Sequence, residues 1–346
     1  GRMTAWSAQH GELEEILARA QRAALRLASR GQLSESSTLL EKVLWSREVV
    51  FGADHRDAIA TAHDLAAVLH RQGRLSEAEM LYGRVLFSKE AALGHLHPST
   101  LYTLLSVAAL RKDQAHFDEA DSMYQRARAG LVATFGPLHV DALTAVAGLA
   151  AVRKAQGQNV EAQQLFQQAI EGRCEVLGPQ HPDTLSAVFH LAVMHTREQH
   201  YADAAVLYEQ ALCGFEKVFG LSHPDTLCVC NNLANVRLAE GRLVEADILY
   251  ERALHGFVAT LGYAHPLALT TVNALAALRR QQGRLDEAVA LYERALKGRS
   301  VALGSQHPQT LKTMTCFMGL LDERQTGSAG SINAAPVQMA ETAMLV

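Results

Sequence analysis

The sequence is poor in the features that mark most specialised protein classes. Aromatic residues make up only 6 % of its 346 positions, and there are just 8 prolines, 5 cysteines and 2 tryptophans. Neither sign of charge is in excess: 32 Lys and Arg stand against 36 Asp and Glu, a formal net charge of −4. That balance argues against a chain that coats nucleic acid or an anionic membrane. No apolar run approaches the roughly 18 residues a membrane helix needs, so membrane insertion is not expected. The stretch from Gly1 to Leu13 lacks the apolar block of a secretory signal. The cysteines, Cys174, Cys213, Cys228, Cys230 and Cys316, are odd in number and scattered. They do not form a disulfide framework, and the two-residue step from Cys228 to Cys230 is neither a redox pair nor a zinc knuckle. Reduced thiols in a cytoplasmic compartment are the expectation. There is also no Gly-rich phosphate loop, no GxSxG and no HExxH, so neither catalysis nor a cofactor is expected.

What the chain does have is 49 % apolar residues, mostly aliphatic, which excludes wholesale disorder and suits a largely helical protein. Those residues are arranged in a strict period. Gly52, Gly94, Gly136, Gly178, Gly220, Gly262 and Gly304 are each 42 residues apart. Three residues after each comes a histidine: His55, His97, His139, His181, His223, His265 and His307. A second column holds Gly31, Gly73, Gly157, Gly241 and Gly283, with Ala115 and Gln199 in the two gaps. Alanine recurs at 66, 108, 150, 192, 234 and 276, and again at 78, 120, 162, 204, 246 and 288. Four residues after the second alanine stands an aromatic: Tyr82, Tyr124, Phe166, Tyr208, Tyr250 and Tyr292.

Each 42-residue unit reads as two helices. In residues 223–262, Pro224 suits a first helical turn, and Asp225 complements the positive end of the helix dipole. Leu227, Cys230, Leu233 and Ala234 recur at helical steps and mark a buried face of helix A. Gly241 supplies the left-handed residue that ends it. Leu243, Ala246, Leu249, Tyr250, Ala253 and Leu254 form the stripe of helix B, which ends at Leu261–Gly262. The alanines let two backbones approach, and the aromatic is expected to wedge toward the next hairpin. A lone hairpin cannot bury both faces, so the units must stack as a solenoid. The periodic histidines lie a whole repeat apart and are expected to bond backbone at the inter-repeat turns, not a metal. His190, His195 and His200 fall outside the period, and no Cys or acidic cluster is seen to join them at ligand spacing.

A helix–turn–helix unit with these two alanines and this aromatic resembles the tetratricopeptide repeat, here in a long, 42-residue form. The phrase at 223–254, His-Pro-Asp-Thr-Leu followed by Asn-Asn-Leu-Ala and Glu-Gly-Arg-Leu-x-Glu-Ala, resembles the repeats of kinesin light chains and nephrocystin-3-like proteins. The likeness covers residues 13–323: about seven hairpins and a capping helix near 309–323. It implies an all-α, right-handed superhelical solenoid. The heptads by which kinesin light chains bind the heavy chain are not in this sequence, so kinesin heavy chain is not an expected partner.

The resemblance further implies an adaptor that captures short linear motifs in a concave groove lined by the A helices. A scaffold that self-assembles through convex or end surfaces is the alternative. The groove columns then include Tyr102, Leu105, Lys112, Lys154, Phe189, Val193, Asn231, Asn235, Asn273 and Arg280. The family's asparagine pair is complete only at Asn231 and Asn232. Its helix-A tyrosine is replaced by Arg111, Arg153, Arg237 and Arg279, which either face solvent or favour acidic peptides. At the ends, residues 1–12 read as a tag remnant or flexible start. Residues 324–346 read as a linker and apolar tail, in which Ile332–Val346 is a candidate peptide for the groove, in cis or in trans.

Overall fold

A computed structural model describes residues 2–326, with side chains described from 11 to 324. The expectations for the linker and for Ile332–Val346 therefore concern residues outside the described ones. The described chain is all-α and divides into two units, Gly1–Leu165 and Phe166–Val346. The first contains α1 (Arg2–Ser29), α2 (Leu33–Phe51), α3 (Arg56–Arg71), α4 (Leu75–Leu93), α5 (Pro98–Asp113), α6 (Phe117–Phe135) and α7 (Val140–Ala155). The boundary lies within α8 (Asn159–Val176). The second unit continues with α9 (Pro182–Arg197), α10 (Tyr201–Phe219), α11 (Pro224–Ala239), α12 (Leu243–Leu261), α13 (Pro266–Gln281), α14 (Leu285–Ala302) and α15 (Pro308–Thr326). Helix α1 thus starts at Arg2, upstream of the hairpin start read at residue 13.

The histidine column opens the A helices. His55, His97, His139, His181, His223 and His265 are extended N-cap residues with φ from −69° to −64°. In each, and in His307, Nδ1 accepts the backbone N–H two residues on, at 3.2–3.4 Å. One of the orphan donors of the first turn is thereby satisfied, which is the backbone-bonding role expected of these residues. At the A–B turns the backbone is left-handed, φ 74–80° at the glycines. Ala115 and Gln199 hold the same conformation at φ 62° and 64°, at a cost of roughly 1 kcal/mol each for a residue with a Cβ.

Both alanine columns are fully buried, every member at 0 % exposure. The aromatic column is buried with them, from Phe166, Tyr208 and Tyr250 at 0 % to Tyr124 at 5 %. Each aromatic reaches the A helix of the following hairpin. The Phe166 ring stacks on His190 with centroids 5.6 Å apart. In the first unit, a Cβ built on Gly148 of α7 would lie 2.3 Å from Cε1 of Tyr124 on α6. Glycine at 148 is therefore a space requirement of the wedge.

Gly148→Ala should lower stability by about 1–3 kcal/mol through overpacking, in spite of the roughly 1 kcal/mol that alanine gains in a helix interior. Urea unfolding of Gly148→Ala, Tyr124→Leu and the double variant checks this. The penalty of Gly148→Ala should shrink once the ring is gone; an equal penalty in both backgrounds would refute the wedge.

Candidate functional site

The expected groove columns lie on one face of the A helices, and polar pairs across that face set their register. In the first unit Gln21 Nε2 donates to Asp64 at 2.6 Å, Ser106 Oγ bonds His63 Nε2 at 3.3 Å, and His70 Nε2 meets Asp113 at 2.8 Å. In the second unit Arg280 Nε donates to Glu323 at 2.8 Å. Every pair is separated by 43 residues, one more than the repeat. A position on one A helix therefore faces its equivalent, shifted by one, on the next.

The individual residues on this face differ in what they offer. Tyr102 is 37 % exposed, and burial together with the Asp141 carboxylate raises its phenol above the ordinary range. Lys112, half-buried, lies 3.0 Å from Asp113, and Lys154 is also half-buried. Leu105 is packed in the first unit's core. In the second unit Phe189 and Val193 are likewise core residues, with the Phe189 ring edge-on to Tyr208 at 5.8 Å. Asn231, Asn232 and Asn235 are buried. Asn232 Nδ2 donates to the Cys228 carbonyl at 2.9 Å within its own helix, and Asn235 Oδ1 accepts from Tyr250 Oη at 2.6 Å. Asn273 is half-buried, and its Oδ1 accepts no hydrogen bond among the described residues. Of the thirteen residues read from the sequence, Tyr102, Lys112, Lys154, Asn273 and Arg280 keep the most solvent-facing surface on the A helices.

The arginine column has a different setting. Arg111 is held by Glu79 on α4 at 2.7 Å and Glu119 on α6 at 3.1 Å. Arg153 is held by Asp121 on α6 at 3.0 Å and Glu161 at the start of α8 at 3.3 Å. Arg237 pairs with Glu209, with Glu240 at 2.7 Å and with Glu245 at 3.4 Å. Arg279 pairs with Asp247 at 2.6 Å, Glu251 at 3.1 Å and Glu287 at 3.6 Å. Each guanidinium joins its A helix to the B helices on both sides. Between solvated surface and ligand contact, the two alternatives left open by the sequence, the side chains occupy a third setting: clamps between helices.

Two features were not read from the sequence. A basic column on the B helices, Arg47, Lys89, Arg173 and Arg299, crosses to the next A helix. Lys89 Nζ donates to Thr103 Oγ1 at 2.9 Å, Arg299 to Thr313 at 2.6 Å, and Arg173 to the Asp183 carbonyl at 2.8 Å. Three apolar residues interrupt this column (Leu131, Phe215 and Phe257), which hides it. The second feature corrects the sequence reading. Glu198 does join His195 and His200: one ligand atom from each lies within 4.8 Å of the others. The acid lies between the two histidines in sequence, and only the turn at Gln199 folds all three together. Cysteine chemistry is not encouraged at Cys228 or Cys230: neither is in a disulfide, both are buried, and burial raises both thiols, Cys230 to about 11.

Paired helices of fixed length, small residues at the crossing and an aromatic wedge define a helical-hairpin repeat protein. The tetratricopeptide repeat profile matches residues 11–86, 140–217, 225–300 and 266–315, and the chain belongs to that family. Among solved structures, a Podospora anserina protein assigned as a kinesin light chain, with nearly identical TPR-like repeats, is 26 % identical. The match covers 60 % of this chain and 97 % of that one, with a TM-score of 0.52. A Rap protein complexed with competence and sporulation factor is 17 % identical over 90 % of this chain and 87 % of that one, TM-score 0.55. The quorum sensor NprR of B. thuringiensis, in its apo form, is 14 % identical over 91 % and 82 %, TM-score 0.57. The last two likenesses are of fold alone. No curated protein sequence is significantly similar to the chain. Proteins of this family are typically non-catalytic interaction adaptors. Among the described residues no helix is long and apolar enough to cross a membrane.

Arg279→Ala should cost about 1.5–3 kcal/mol, the scale of charge-assisted hydrogen bonds at a site only 8 % exposed, and the loss should shrink at high salt. Urea unfolding at low and high ionic strength measures it. An unchanged midpoint would contradict the clamp.

Proposed function

We propose that the chain is a non-enzymatic adaptor that captures a short peptide segment of a partner protein along the A-helix face. The observation that carries the reading is the register of that face. Pairs 43 residues apart bring equivalent positions of consecutive A helices side by side, as an extended binding surface requires. Half-buried Asn273, whose shielded amide oxygen accepts no hydrogen bond among the described residues, has donor and acceptor capacity to hold a peptide backbone once its side chain turns toward the face. The complex of a Rap protein with competence and sporulation factor agrees with such use of the fold. A cytoplasmic location suits the free cysteines. Residues 332–346, rich in Val, Met, Leu and Ala around the one acid Glu341, are the first peptide to try.

The scaffold reading has one observation in its favour. Val206 of α10 and Val244 and Ile248 of α12 are 64–74 % exposed on B helices. Isolated exposed aliphatics are ordinary, however, and do not by themselves define an interface.

Asn273→Ala separates the two readings, and it is a better choice than Asn235→Ala, which would leave the buried Tyr250 hydroxyl without its acceptor. In a chain ending at residue 325, fluorescence anisotropy of a labelled Ile332–Val346 peptide should show saturable binding. Asn273→Ala should weaken it about tenfold, the scale of one charge-neutral hydrogen bond lost with its neighbour left unpaired. Absence of binding to the parent chain would remove this peptide as the ligand. Partner capture unaffected by Asn273→Ala and by Lys112→Ala would favour the scaffold.

A further inference from the structure

Between α5 and α13 the arginine column is interrupted once; on α1, α3 and α15 the equivalent positions hold Leu27, Leu69 and Leu321. From α5 to α13 the column reads Arg111, Arg153, His195, Arg237 and Arg279. At every arginine, the acid eight residues on approaches Nε: Glu119, Glu161, Glu245 and Glu287, at 3.1–3.6 Å. The equivalent acid after His195 is Asp203, so the acidic side of the clamp is retained where the guanidinium is lost. The residue three positions on, a glutamine at 114, 156 and 282, is Glu198 here, as it is Glu240 beside Arg237. The residue five positions on is His200, the N-cap position of α10. This turn therefore keeps its carboxylates and replaces a permanent cation with two imidazoles.

The geometry matches the substitution. The closing turn of α9 and the left-handed Gln199 bring His195, Glu198 and His200 together, each offering a ligand atom within 4.8 Å of the others. The imidazole centroids of His195 and His200 are 5.9 Å apart, and His200 Nδ1 lies 3.7 Å from Glu198 Oε2. Nδ1 of His195 is buried and has no hydrogen-bond partner among the described residues, an uncommon state for a buried ring nitrogen. Donor atoms on a tetrahedral zinc ion stand about 3.3 Å apart, given metal–ligand distances of about 2.0–2.2 Å. His200, 59 % exposed at its side chain, has the freedom to close the difference.

We propose that His195, Glu198 and His200 form a site for a divalent transition-metal ion of the zinc class. Two imidazoles and a carboxylate are the donor set such ions select over magnesium or calcium. Three protein ligands leave a fourth position for water. The ion supplies the positive charge that arginine supplies in the neighbouring hairpins, and it ties the end of α9 to the start of α10. That makes the site a metal-dependent staple of one A–B turn.

Cobalt(II) is the test probe, added to the full chain after chelator treatment and followed by its visible absorption. The expected result is one equivalent bound, displaced by zinc(II), with no thiolate charge-transfer band, and a rise in melting temperature on adding zinc. His195→Arg restores the residue of the neighbouring hairpins and should fold normally while losing metal. His200→Ala, at an exposed side chain, provides a second variant, and each should weaken binding at least about tenfold. Cys213→Ser should change nothing. The proposal is overturned if the parent chain takes up no cobalt at millimolar concentrations, if a thiolate band accompanies binding, or if both histidine variants bind as the parent does.

Discussion

The close crossing of two backbones at a pair of buried alanines is the constraint on which the rest of this protein depends. A side chain no larger than a methyl group at both positions lets helices A and B approach closely, and all twelve alanines of the two columns are completely buried. A tight crossing leaves a gap one turn further along helix B, because the axes diverge from the contact. The aromatic column fills that gap and extends beyond it to the next A helix. Packing within a hairpin and packing between hairpins are thus two consequences of one choice of small residue. The same logic explains Gly148, where even a methyl group is too large beneath the Tyr124 ring.

Much of this was legible in the sequence because a period turns weak signals into strong ones. One histidine before a helix is ambiguous; seven at the same offset are a capping device, and each of them does accept a backbone N–H. The burial of the proposed groove residues was legible only in part. Helical phase places Leu105, Phe189 and Val193 in groove columns, but phase gives an angle around a helix and says nothing of depth. These apolar side chains turn inward to join the cores of their units. Asn235 shows the same limit: its acceptor is taken by Tyr250, fifteen residues away, and no local pattern records that contact. A column of glycines on the B helices, Gly130, Gly214, Gly256 and Gly298, also escaped notice. A Cβ at any of them would come within 2.4–2.8 Å of a leucine on the paired A helix.

Electrostatics divide the repeat into two sides. The arginine column neutralises acids between A and B helices, so its charge is spent on holding hairpins together. The cations left on the A-helix face, Lys112, Lys154 and Arg280, are few and mostly near an acid: Asp113 for Lys112 and Glu323 for Arg280. A face of this kind has little net field to draw a strongly charged ligand from a distance. Under the proposed function, such a face suits a weakly charged peptide better than a polyacidic one.

The hairpin formed by α9 and α10 departs from its neighbours in a way that bears on how repeats diversify. In a repeat array each unit is stabilised by its own packing and by its immediate neighbours, so one unit can change its clamp without altering the others. Replacing a guanidinium with imidazole removes a permanent charge from a place where carboxylates remain, a change that costs stability unless another cation enters. Gln199 adds to that cost by standing in a left-handed conformation that glycine holds at five equivalent turns. Both costs fall on a single turn, at His195 and Gln199. Ala115 carries the same backbone cost at its own turn, and the α9–α10 turn differs in combining that cost with the loss of the guanidinium, which is why the proposed metal site is sought there.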